Sequence, residues 1–284
     1  MCGRMTLTRS ADEIAAYFAL AEAIPIPGPN GGPLEPRFNV APSQRVLTLV
    51  ESEGGSRLAA WKSWGLIPSW SKDPARGGSL FNARSETVDT KPSFRAAWKK
   101  RRCLVVADGF YEWSPRNQGH QPYYFTTQKW PLMAMAGLYE EWVDSSSDER
   151  GGRGGANGSG EVIESCTVLT TEANADLSDV HHRMPVLLRP EDFAAWLSPA
   201  TAPETLKPLL APSPDATLQR RAVSDYVNSA RNDDAGCLSP PPPPPAPTHP
   251  QPTSEPEPPA QTELFAFTSP APPEPVKKDG GVDS

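Results

Sequence analysis

Apolar residues recur along this chain with two different periods. Ile14, Tyr17 and Phe18 repeat at helical spacing behind Ser10-Ala11-Asp12-Glu13, a capping box, so a first helix begins there. Lys91 and Pro92 predict the start of a short second helix with Phe94, Ala97 and Trp98 on one face. Pro190-Glu191-Asp192 opens a third, with Phe193, Trp196 and Leu197 facing inward. Short β-branched or apolar runs at 45–50, 103–107, 123–128, 132–136 and 165–170 predict strands, and a last strand lies near 217–223. Helices and strands alternate without a βαβ rhythm. The expected fold is therefore α+β: one domain around a curved, mainly antiparallel sheet or barrel with flanking helices.

Composition divides the 284 residues unevenly. Proline dominates from Leu238, with an unbroken run at 240–245, and such a stretch buries too little surface to fold. We expect a domain over 2–229, a glycine- and serine-rich surface insertion at 144–160, and a disordered tail over 230–284. The tail carries three basic and eight acidic residues, so of the net charge of −7 only −2 belongs to the domain. Local clusters such as Lys99-Lys100-Arg101-Arg102 then suffice for a positive face toward nucleic acid, or serve as a solvated helix end. The four cysteines show no Cys-x-x-Cys spacing, which disfavours a zinc site or a disulfide framework, and no metal or cofactor is expected. Cys103 and Cys166 sit in apolar runs as buried strand thiols. With no apolar leader and no long apolar run, the expectation is a cytoplasmic, monomeric protein away from membranes.

Candidate chemistry begins at Cys2. Removal of Met1 makes it the amino terminus, with a thiol and an α-amine on adjacent carbons. An α-amine has a pKa of about 7.7–8.0, so part of it is neutral near pH 7 and condenses with an aldehyde. The neighbouring thiol then closes a thiazolidine on the imine. Taken alone, such a cysteine is more simply a residue of a frayed terminus. Glu112, in Asp108-Gly109-Phe110-Tyr111-Glu112-Trp113, has aromatic neighbours that would raise a carboxyl pKa and suit a general acid or base, though an edge-strand position explains it too. Asn82 and Arg84 alternate on one face of an extended segment, as in a phosphate or sugar clamp. Of four histidines, His120 and His249 lie in a loop and the tail. His181 and His182 point to opposite sides if extended, so at most one faces a site.

Taken together, Met1-Cys2-Gly3-Arg4, Arg37-Phe38-Asn39-Val40-Ala41-Pro42-Ser43, Trp64 to Trp70, Asn82 to Thr87, Asp108 to Trp113 and His181-His182-Arg183-Met184-Pro185 resemble the SOS-response-associated peptidase family, the abasic-site processing proteins. The resemblance runs in order from Cys2 to about Asn228 and leaves out the insertion and the prolines. It implies covalent capture of abasic sites in single-stranded DNA by a thiazolidine at Cys2, shielding the lesion during the damage response. It makes Cys2 the nucleophile, completes the site with Asn82 and Glu112, and assigns the family's histidine to His181. It sets Arg4 and Arg84 near DNA phosphates, and Trp70 or Trp113 is suited to stacking on bases. The family name also keeps open a thiol peptidase, acting on Met1 alone or more widely, and lyase activity. A non-covalent single-stranded DNA-binding module is the third reading. In the tail, Gln261, Leu264, Phe265 and Phe267 resemble short peptides that dock on DNA sliding clamps.

Overall fold

The computed structural model describes residues 2–20, 26–115, 120–143, 162–243 and 271–273. The first strands are β1 (Met5–Leu7), β2 (Arg37–Val40), β3 (Arg45–Glu51), β4 (Arg57–Trp64) and β5 (Asn82–Arg84). They are followed by β6 (Arg102–Ala107), β7 (Gly109–Trp113), β8 (Pro122–Thr127), β9 (Met133–Val143) and β10 (Val162–Glu172). Strands β11 (Arg183–Pro185), β12 (Leu187–Leu188) and β13 (Leu218–Ala222) complete the set. Among the described residues, four short α-helices flank them: α1 (Ala11–Phe18), α2 (Arg95–Lys100), α3 (Phe193–Leu197) and α4 (Pro203–Leu206).

Five of these strands close on themselves. β4 pairs with β3, β3 with β6, β6 with β9, β9 with β10, and β10 returns to β4. Closure removes the free strand edges from this ring. Its joints are antiparallel except β10–β4, where Cys166 lies opposite Trp64 in parallel register, and β5 also pairs with β10 in parallel. A second sheet has the order β13-β8-β7-β1-β2. The expected α+β fold forms, and of the sheet-or-barrel alternatives the strands adopt the barrel.

β6 and the inner stretches of β9 and β10 are buried on both faces, which is why they read as continuous apolar runs rather than alternating ones, whereas β4 leaves Leu58 and Ala59 exposed. On β6, Leu104 and Val106 pack with Ile14, Phe18, Trp98, Phe193 and Trp196 from the helices. Cys103, Val105 and Ala107 on the alternate face pack with Cys2, Met5, Trp64, Phe110 and Phe125. Cys103 and Cys166 are indeed buried free thiols.

Helix α1 starts as its sequence dictates: the Glu13 amide donates to the Ser10 hydroxyl at 3.3 Å, and the Ser10 amide to the Glu13 carboxylate at 2.8 Å. Other elements differ from expectation. β9 and β10 run past their apolar stretches because they continue as a two-stranded ribbon to Val143 and Val162, with Glu140, Glu141 and Glu164 along it. Of the basic cluster at 99–102, Lys99 and Lys100 are exposed in the last turn of α2, but the other two residues are engaged. Arg102 is 1% exposed and donates to the carbonyls of Trp196 (2.7 Å), Trp98 and Lys99 (both 2.9 Å) and Ser198, capping the ends of α2 and α3. Arg101 pairs with Glu140 at 2.6 Å. The compact unit also runs to Pro242 rather than ending at 229, because Val227 and Cys237 are buried against Tyr111 and Tyr124. The insertion at 144–160 and the peptide at 261–267 lie outside the described residues.

Candidate active site

The site is assembled around the chain's first strand. β1 is inserted between β2 and β7, so Met5 lies opposite both Val40 and Phe110. The Asp108 carboxylate accepts from the Thr8 amide and the Thr8 hydroxyl, each at 2.6 Å, and from the Thr6 hydroxyl. Gly109 is required beside it: a Cβ there would fall 2.2 Å from the Tyr124 hydroxyl. These bonds carry order to the first residues. Cys2 is fully buried, not frayed, and its carbonyl accepts from the Asn82 side-chain amide at 2.7 Å.

Asn82 comes from β5, held on β10 by the pairing of Asn82 with Val168. Behind it the Trp64 indole donates to the Phe81 carbonyl at 2.9 Å. The Asn82 Oδ1 is buried without a partner, an acceptor beside the Cys2 backbone. Arg84, two residues on, is exposed.

Glu112 is 4% exposed on β7. Its sequence neighbours Tyr111 and Trp113 point to the opposite side of the strand and join a third cluster with Val223 and Val227. What buries the carboxyl is the Cys2 side of the sheet, which it shares with Phe110. Burial raises its pKa, opposed by the positive charges of the chain's amino terminus and of His182. Burial, and then the Glu112 charge, also push the Cys2 thiol far up. Burial thus shifts both groups toward their protonated forms.

The histidines depart from the extended geometry expected of them. A turn closed by the His181 amide on the Leu177 carbonyl at 3.0 Å precedes β11, and the two imidazoles stack with centroids 4.5 Å apart. Both thus lie on one side. The His181 Nδ1 is 3.0 Å from the Arg183 amide nitrogen and 3.1 Å from its carbonyl oxygen, so either tautomer is held without movement of the ring. Burial, then the nearby amino terminus, lowers the His181 pKa; His182 is lowered by burial and by His181. Sequence reasoning passed over His182, and also Arg183, whose guanidinium is 8% exposed and bidentate on Glu86 at 2.6 and 3.0 Å. Nothing in a motif distinguishes a buried arginine from an exposed one.

Cys2, Asn82, Glu112 and the histidine pair are thus linked by contact or charge. Arg4 and Trp113 belong elsewhere. The Arg4 guanidinium lies over the Trp113 ring, 5.9 Å from its centroid, and donates to Asn39 and to the carbonyls of Val227 and Asn228. The Trp113 indole donates to the Asn228 side chain at 2.7 Å. Trp70, by contrast, is 55% exposed. Among the described residues there is no group of three or more His, Cys, Asp or Glu that would hold a metal, and no helix long and apolar enough to cross a membrane.

The family model for SOS response associated peptidase (SRAP) matches residues 1–230. The chain belongs to the SRAP family. Among its relatives are the abasic site processing protein YoaM of Bacillus subtilis, 36% identical over 240 residues (84% of this chain and 97% of YoaM), and the abasic site processing protein HMCES of Gallus gallus, 31% identical over 239 residues (74% and 67%). The SRAP fold is also seen in a crystal structure from Bacteroides thetaiotaomicron, with TM-score 0.71 and 24% identity, covering 84% of this chain and 99% of that one.

Proposed function

We propose that this SRAP protein processes abasic sites in single-stranded DNA by covalent capture at Cys2. The observation that carries this reading is the ordered, buried Cys2 beside the Asn82 amide and the buried Glu112 carboxyl. The names of its relatives YoaM and HMCES point to the same lesion.

After removal of Met1, the Cys2 α-amine attacks C1′ of the ring-opened sugar. Burial disfavours a charged amine, keeping it nucleophilic. Glu112, protonated, donates to the departing hydroxyl as water leaves and the imine forms, and then takes up a proton as the thiol adds across the C=N bond. One C–N and one C–S bond form, one water is lost, and no oxidant or reductant enters. Asn82 holds the Cys2 backbone and offers its free Oδ1 to the amine or sugar, and His181 assists ring opening as a neutral imidazole. Arg84 contacts phosphate and Trp70 stacks on a base.

The raised thiol pKa speaks against a thiolate peptidase, which needs a depressed one. It suits a reaction in which the amine acts first. Residues Gln261, Leu264, Phe265 and Phe267 supply a sliding-clamp peptide; removing 261–267 should abolish clamp pull-down and spare capture.

The test compares wild type, Cys2→Ala and a protein with a blocked α-amine on an abasic oligonucleotide. Only wild type should give an adduct that survives heat and denaturant. An adduct with Cys2→Ala would end this reading, and proteolysis that survives amine blocking would favour the peptidase.

A further inference from the structure

The segment 224–239 lies against β2 and over the Arg4 side chain that precedes β1, and two of its carbonyls accept from the Arg4 guanidinium. Arg4 Nη1 donates to the Asn39 Oδ1 and the Val227 carbonyl, both at 2.8 Å, and Nη2 to the Asn228 carbonyl at 3.2 Å. Asn39 is fully buried, and its Nδ2 is within bonding distance of the carbonyls of Val227 (3.1 Å), Ser229 (2.9 Å) and Asn232 (2.7 Å). Asp233 accepts from the amides of Phe38 (2.6 Å) and Asn39 (2.8 Å) and from Arg37. The segment closes on itself through the Ser224 amide and the Ser239 carbonyl at 2.8 Å, with Cys237 buried beneath. Asn232, Asp233 and Cys237 lie beyond the span matched by the family model.

A terminal residue is tethered on one side only and frays unless its neighbours are fixed. Here Asn82 holds Cys2 by its carbonyl, Gly3 follows, and Arg4 is the next anchor, its own carbonyl accepting from the Tyr111 amide at 3.0 Å. Turning the guanidinium toward a phosphate would break three charge-assisted bonds and leave the buried Asn39 Oδ1 without its donor. The geometry points to residues 224–239 acting as a strap on β1, with Arg4, Asn39 and Asp233 as positioning residues for Cys2 and Arg4 making no phosphate contact. This rests on the capture reading above, in which a displacement of about 1 Å at the amine is enough to slow attack strongly.

The experiment uses the full chain with Arg4→Gln and Asp233→Ala. It reads the single-turnover capture rate at saturating abasic oligonucleotide. It also reads the salt dependence of affinity for the same oligonucleotide carrying a tetrahydrofuran, which has no aldehyde to react. We expect each variant to lower the saturating rate about tenfold or more, with an unchanged salt slope and a double variant no slower than the slower single one. A salt slope reduced by about one in Arg4→Gln with the saturating rate intact would make Arg4 a phosphate contact and overturn the proposal. So would a wild-type rate in Asp233→Ala. If wild type captures no DNA, the capture reading fails, and the strap is read from amide hydrogen exchange at Met5–Leu7: faster in Asp233→Ala if it holds β1, unchanged if it does not.

Discussion

The Asn82 side-chain amide donates to the Cys2 carbonyl oxygen at 2.7 Å, tying β5 to the second residue of the chain across 80 positions of sequence. This bond fixes the backbone that carries the amine and thiol without engaging either group. Asn82→Ala should slow capture at saturating DNA about tenfold, the worth of one oriented hydrogen bond, while the melting temperature falls by only a few degrees. Single-turnover kinetics and a thermal melt on the same preparation check both parts.

Glu112 gives a pH dependence with a definite sign. Burial raises its pKa, so the folded protein holds this proton more tightly than the unfolded chain. The contribution is fully present below the unfolded value of about 4.3 and is lost as pH rises through the folded value. Glu112→Gln does not titrate. In urea titrations the variant should therefore gain on wild type as pH rises above about 4.3, while its capture rate falls by roughly 10²–10⁴.

Trp70 and Trp113 separate binding from stability. Trp70→Ala, at a 55% exposed ring, should weaken single-stranded DNA affinity by about 1–3 kcal/mol with an unchanged melting temperature. Trp113→Ala removes the indole bonded to Asn228 and should lower the melting temperature. Fluorescence anisotropy and thermal melts on both variants distinguish the two.

Much of this was legible from local pattern. The Ser10–Glu13 box and the apolar runs of β3, β6 and β8 depend on neighbours in sequence, and they formed where expected. Barrel closure was not legible, because it depends on β10 returning in parallel to β4, about a hundred residues earlier, a pairing with no local signature. Glu112 was found for an incomplete reason: its aromatic sequence neighbours face away, and the Cys2 side buries it. The histidine pair failed the alternation rule because a turn, not a strand, carries it. Four basic residues in a row concealed Arg102, a buried helix cap.

That cap makes a stability prediction remote from the site. Arg102→Ala leaves the terminal carbonyls of α2 and α3 without their donor and opens a cavity under Trp98 and Trp196. The loss should be about 3 kcal/mol or more, read as a shift of the urea midpoint. Capture by the fraction that remains folded should proceed at the wild-type rate.

The most direct measurement is the intact mass of the purified protein before and after incubation with a single-stranded oligonucleotide bearing one abasic site. Covalent capture predicts a chain lacking Met1 that gains the mass of the oligonucleotide less one water, with fragmentation locating the adduct on Cys2. A chain that begins at Cys2 and keeps its mass after incubation would contradict it.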